Sequence, residues 1–291
     1  MKKIVIGLFC LNLSNLTAKF IDLHSSELLF KSSFEEGVYL KETNREGSSI
    51  WWQGLEGSDN DSFEWPIKLQ GEEGQFQMIV HDDEIDDYIE NELKTVIGID
   101  GEESRVLHQK IKNKEEESTQ DPYVVITGGK EQKKLYIRYA LKFPSNLADI
   151  LETDGWLAFC EYKTASDYRL AFYIYQNEKD DLYWYVHGDN MVLDDRDYEE
   201  YWSLENRKYP IKAGEWQDIE IYWNRDKNNG QVWMAVDGDI IFNYKGSTKL
   251  KESIEEMMLF TNYANKPLEQ WVDNVEIWNN FPCGFEQSCH N

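Results

Sequence analysis

The chain reads as an all-β protein, an antiparallel sandwich of two sheets. Short stretches with two-residue apolar alternation recur about every ten residues, turn-forming residues separate them, and helical periodicity is almost absent. The pattern is clearest from Gly214 to Gly246, where Trp216, Asp218, Glu220 and Tyr222 alternate with Gln217, Ile219, Ile221 and Trp223. Val232, Met234 and Val236 then alternate with Trp233, Ala235 and Asp237. Asn228-Asn229-Gly230 and Asp237-Gly238 tolerate positive φ and turn the chain between these strands. A chain of 291 residues can bury a large core, and a single β domain over 19–280 is expected, without repeats or a flexible linker.

In chain order, residues 40 to 75 carry Gly, Ser and Asn between Trp51, Trp52 and Trp65, as strands and polar turns do. Phe76 to Val80 predicts a short strand, and the acidic run from Asp82 to Asp87 a solvated loop or strand edge. Leu93 to Ile99, the turn Asp100-Gly101 and Arg105 to Ile111 form a hairpin, and the charged segment from Lys112 to Gln120 an exposed loop. Strands are predicted at Leu135 to Phe143, Trp156 to Lys163, Tyr168 to Tyr175 and Leu182 to His187. Helix is limited to one turn at Asn146 to Leu151 and one or two at Leu250 to Met258.

Residues 1–18 combine two lysines, an apolar run and a small residue at Ala18, the features of a secretory signal, so the mature chain is expected to be secreted or periplasmic. No other apolar run is long enough to span a bilayer. The net charge of −25 becomes −27 without Lys2 and Lys3; it repels phosphate backbones and anionic lipids, which argues against nucleic acid and membrane surfaces as partners, and it favours calcium. In an oxidising compartment Cys283 and Cys289 of the 281–291 tail would pair as a disulfide, leaving Cys160 a buried free thiol on a strand.

Two segments carry a family resemblance. The Gly214 to Gly246 stretch and the run Trp271-Val272-Asp273-Asn274-Val275-Glu276-Ile277-Trp278 resemble the late strands of the concanavalin A-like jelly-roll superfamily, and Phe34-Glu35-Glu36-Gly37 resembles its opening strand. That superfamily includes laminarinase-like glucanases, polysaccharide lyases and lectins, so the resemblance implies a jelly roll whose partner is a polysaccharide. It also implies a structural calcium held by Glu35 or Glu36 together with Asp273.

Alternation then sorts the side chains. Leu135, Ile137, Tyr139, Leu141 and Phe143 form the apolar set of their strand, with Tyr136, Arg138, Ala140 and Lys142 on its other face. On the next strand Leu157 and Phe159 share a face with Glu161 and Lys163; further on, Tyr183, Tyr185 and His187 oppose Trp184 and Val186. Arg138, Glu161, Lys163, Tyr173, Tyr185 and His187 are therefore expected along one polar groove. The segment Gly155 to Lys163 resembles the strand on which jelly-roll polysaccharide lyases carry a Gln-x-His pair, but Glu161 and Lys163 stand at those positions.

β-Elimination beside a uronate needs a cation on the carboxylate, a base and an acid. Arg138 or Lys163, His187, and Tyr173 or Tyr185 are the candidates for those roles. The alternatives are a sugar-binding module or lectin, stacking saccharide on Trp51, Trp52, Tyr183 and Tyr185 with Glu161 nearby, and a structural surface protein whose rings only fill its core. A retaining glycosidase is disfavoured, because the Glu84-Ile85-Asp86 run continues with Tyr88 and Ile89 where the carboxylates are needed.

Overall fold

A computed structural model describes residues 26–44, 51–69, 72–73, 76–78, 89–112, 124–126, 133–164, 168–179, 181–190, 198–248, 254–258, 263–264 and 266–282. The signal segment, the Asp82 to Asp87 run and Cys283 with Cys289 lie outside the described residues. The strands are β1 (Leu28–Ser32), β2 (Val38–Asn44), β3 (Trp51–Gly57), β4 (Lys68–Leu69), β5 (Glu72–Glu73), β6 (Phe76–Met78), β7 (Ile89–Ile97), β8 (Glu103–Ile111), β9 (Val124–Ile126) and β10 (Lys134–Lys142). The single described helical turn, α1 (Leu147–Leu151), precedes β11 (Trp156–Thr164), β12 (Arg169–Gln176), β13 (Leu182–Asp189), β14 (Glu200–Asn206) and β15 (Trp216–Asn224). The remainder are β16 (Gly230–Val236), β17 (Asp239–Gly246), β18 (Ile254–Met258), β19 (Tyr263–Ala264) and β20 (Glu269–Trp278).

Two eight-stranded antiparallel sheets form the sandwich. The first runs β17-β16-β15-β10-β20-β8-β7 with β1 also on β20, and the second runs β14-β13-β12-β11-β18-β9-β6 with β19 also on β11. Their facing sides share one core: Tyr162 of the second sheet packs on Trp223 of the first at 5.0 Å, and Phe143 on Phe159 at 6.4 Å. The predicted apolar set Leu135, Ile137, Tyr139, Leu141 and Phe143 is buried in that core, as alternation requires. Burying rings such as Phe143 and Phe159 supplies about 1.5–3 kcal/mol each.

Most strands fall where periodicity places them. One predicted helix does not: Ile254–Met258 is strand β18, seated between β11 and β9 with Met258 opposite Glu161. The second sheet has a slot at this place, and pairing in it outweighs the weak helical preference of a five-residue segment. Cys160 is a buried free thiol, as expected.

At three of the register shifts between described strands, an extra residue moves a carboxylate to an outer face. On β11, Ala158 opposes Tyr173 but Cys160 opposes Phe172, so Phe159 and Cys160 both enter the core and Glu161 turns outward. The expectation that Glu161 shares a face with Leu157 and Phe159 is thereby corrected. On β14, Trp202 opposes Gly188 while Glu200 opposes Asp189, so Tyr201 is the additional residue and Glu200 comes out beside Asp189. On β20, Asn274 adopts φ 52°, which separates Asp273 from the core residues Val275 and Ile277.

Candidate functional site

The outer face of the second sheet gathers Trp156, Tyr173, Tyr175, Tyr183, Tyr185 and His187, whose intervening neighbours Phe172, Ile174, Trp184 and Val186 point into the core. The rings form a continuous surface. Trp156 meets Tyr173 edge-on at 5.9 Å, Tyr175 stacks with Tyr183 at 5.9 Å, and Tyr185 meets Tyr175 at 5.1 Å. Trp156, Tyr175, Tyr183 and Tyr185 remain partly exposed, whereas Tyr173 is buried.

A charged cluster adjoins the rings. The Arg169 guanidinium donates to both Asp189 oxygens, through Nε at 3.2 and 3.0 Å and Nη2 at 2.6 Å, and reaches Glu161 Oε1 from Nη1 at 3.4 Å. Asp189 and Glu161 are buried, so a cation between them is required to hold two carboxylates out of water. Burial opposes the charged form of Arg169, yet its bonds to Asp189 and the charge of Glu161 raise its pKa.

His187 stands beside this cluster with its Nδ1 3.3 Å from Glu200 Oε2. Its Nε2 lies 3.3 Å from Asp189 Oδ2, but the two are misaligned, so Nε2 is a buried nitrogen without a hydrogen bond. The same Glu200 accepts Tyr185 Oη at 2.7 Å and Ser203 Oγ at 2.7 Å. Burial would raise the Glu200 pKa; the hydroxyls of Ser203 and Tyr185 and the His187 ring outweigh it and hold it below its ordinary value. Burial is also the main cause of the raised Tyr173 and Tyr185 pKa values, which keeps both phenols protonated. Gly188 makes the underside possible: a Cβ there would lie 2.6 Å from Trp202 Nε1, which donates to Tyr168 Oη at 2.8 Å.

Burial lowers the His187 pKa, with Asp189 pulling the other way. The ring is therefore neutral in the native protein and charges more readily once unfolded, so its contribution to stability is present above about pH 6.5 and is lost as the pH falls from there. On acidification from pH 7 to 5 the melting temperature of the native chain is expected to fall further than that of His187→Asn. Parallel curves would mean that His187 is not held neutral.

Of the other predicted residues, Arg138 is not part of this face. It lies on the outer side of the first sheet, where Nε and Nη2 clasp Asp218 at 2.6–3.0 Å, because β10 belongs to the opposite layer. Lys163 occupies the register position opposite Arg169, and its side chain lies outside the described residues. Trp51 and Trp52 fall on β3 in a two-stranded ribbon with β2, and their side chains are likewise not described. Arg169, Asp189 and Glu200 were missed. Continuing the alternation of Tyr173 and His187 would have located the first two; Glu200 had no local signal.

Glu35 and Asp273 do meet. Ser104 Oγ bridges them with its one hydrogen, 3.0 Å from Glu35 Oε1 and 2.8 Å from Asp273 Oδ2, and the Asn274 amide donates to Asp273 Oδ1 at 2.7 Å. Burial, and then the charges of Glu35 and Asp100, push the Asp273 pKa up to about 6. Among the described residues no group of three or more His, Cys, Asp or Glu side chains is placed to hold a metal. Nor is any described helix long and apolar enough to cross a membrane.

No family model matches the chain, and no curated protein matches it. Among solved structures it is similar to a mutant of the alginate lyase Aly36B in complex with alginate trisaccharide, with TM-score 0.46, 11% identity and coverage of 65% of this chain and 86% of that one. It is also similar to an endo-1,3-beta-glucanase from Streptomyces sioyaensis (TM-score 0.38, 11% identity, 88% and 96% covered). A third is the binding domain of botulinum neurotoxin serotype D (TM-score 0.38, 8% identity, 73% and 46% covered).

Proposed function

We propose that this protein binds a polysaccharide along the ring surface of the second sheet and cleaves it by β-elimination. The observation that carries the proposal is His187: a neutral imidazole with an unbonded Nε2, between a guanidinium-carboxylate cluster and two protonated phenols. In this reaction His187 takes the proton from the carbon next to the uronate carboxylate, and a C=C bond forms as the C–O bond to the leaving sugar breaks. Tyr185 donates its proton to the leaving oxygen, and the carboxylate charge is assigned to Lys163, at the register position opposite Arg169, because Arg169 is taken up by Asp189 and Glu161. Nε2 is enclosed by neighbouring groups, with the Tyr173 and Tyr185 rings 5.2 and 5.5 Å from the imidazole, so the saccharide must part these contacts.

Incubation with a panel of uronate polymers tests the proposal, with absorbance from the unsaturated product as the expected result. The rate should hold through the ordinary histidine range and fall only on the acid side of it, because burial lowers the pKa at which the native His187 ring takes up a proton. A second reading, a sugar-binding module, is favoured by the partly exposed rings of Trp156, Tyr175 and Tyr183. No product from any polymer, with retardation in saccharide-containing gels, would decide for it.

The proposal extends to a structural calcium at Glu35 and Asp273, whose mutual repulsion a cation relieves. Calcium takes six to eight oxygens, so solvent or further chain oxygens must complete the shell. Chelation is expected to lower the melting temperature and calcium to restore it; an unchanged melt would rule the ion out. Secretion and the Cys283–Cys289 disulfide remain part of the same proposal, checked by the mass of the exported chain before and after reduction.

A further inference from the structure

We infer that Glu200 is a positioning residue that fixes the tautomer of His187 and ties it to Tyr185; the inference rests on the elimination reading for its consequence, but not for its geometry. The ionised Glu200 carboxylate has no proton to give, so the 3.3 Å contact with Nδ1 is a hydrogen bond only if Nδ1 carries the hydrogen. A neutral imidazole has one N–H, and placing it on Nδ1 leaves the lone pair on Nε2. That matches the buried Nε2, which has no aligned partner although Asp189 Oδ2 is 3.3 Å away.

The other Glu200 contacts act in the same sense. Ser203 Oγ occupies Oε1, leaving Oε2 to Tyr185 and His187 together. One carboxylate oxygen thus sets the direction of both groups assigned to move protons. Its placement depends on the Tyr201 bulge: in an unbroken β14, residue 200 would face the core with Trp202 and Leu204. Glu200 is on the edge strand of its sheet with a third of its side chain exposed, so replacing it leaves the core intact.

The test is the nitrogen-15 spectrum of the His187 ring in the intact chain at neutral pH. The hydrogen is expected on Nδ1 in the native protein and in Ser203→Ala, which spares the imidazole contact. In Glu200→Ala it is expected to move wholly or partly to Nε2, toward Asp189. Glu200→Gln, which keeps shape and loses charge, gives the same readout in part and serves if the alanine variant does not fold. With the uronate polymer that the native chain cleaves, Glu200→Ala should lower kcat by about tenfold or more with little change in KM. A hydrogen that stays on Nδ1 in both Glu200 variants, or is already on Nε2 in the native chain, overturns the inference. A shift of tautomer in a protein that cleaves no polymer upholds the positioning role and refutes the elimination reading alone.

Discussion

Replacing Arg169 by methionine is expected to cost about 3–5 kcal/mol of stability, the scale seen when one partner of a buried ion pair is removed. Asp189 and Glu161 have almost no solvent exposure, and Arg169 supplies three contacts to the first and one to the second. Without the guanidinium, the carboxylates must stay charged in a poorly solvating pocket or take up protons, and either choice raises the free energy of the fold. Denaturant melts at pH 7 measure the loss. Adding Asp189→Asn to the Arg169 variant should recover part of it, since one stranded charge is then gone and the two sites are coupled. A loss below about 1 kcal/mol would place the pair in the solvent-screened class and remove the argument for a rigid charged cluster.

His187→Asn and Tyr185→Phe are each expected to lower kcat/KM on a uronate polymer by about 10²–10⁴-fold, the usual contribution of a positioned acid or base. Tyr185→Phe deletes only a hydroxyl whose partner Glu200 keeps Ser203, so its melting temperature should stay near that of the native chain. The double variant should lose little more than the worse single one, because residues sharing one carboxylate act as a unit. Full activity in both would transfer the chemistry elsewhere, and equal loss of saccharide binding in both would favour a binding module.

How far the chain could be read from residue order varies with position. Trp216 to Trp223, Val232 to Val236 and Leu135 to Phe143 each alternate without interruption, and their core and outer sets came out as alternation predicts. Tyr183, Tyr185 and His187 were sorted correctly for the same reason: β13 pairs with β12 from Leu182 to Asp189 without a slip. Arg138 was misplaced for a different reason. Alternation gives the side of a strand on which a residue stands, but not the sheet to which the strand belongs, and β10 lies in the layer opposite His187.

Residue order by itself determined the all-β class, most of the strands, the burial of Cys160 and the aromatic character of one outer face. Tertiary structure alone decided that Ile254–Met258 is a strand and that Glu161, Glu200 and Asp273 leave the faces simple alternation would assign them. The physical reason lies in the range of each signal. Alternation is written within a strand, whereas a bulge exists only relative to its partner, when two residues oppose one across a ladder. All three carboxylates depend on such an event, so Glu161 and Glu200 could be placed in the site only once the strands had been paired, whereas Arg169 and Asp189 follow the unbroken alternation of β12 and β13.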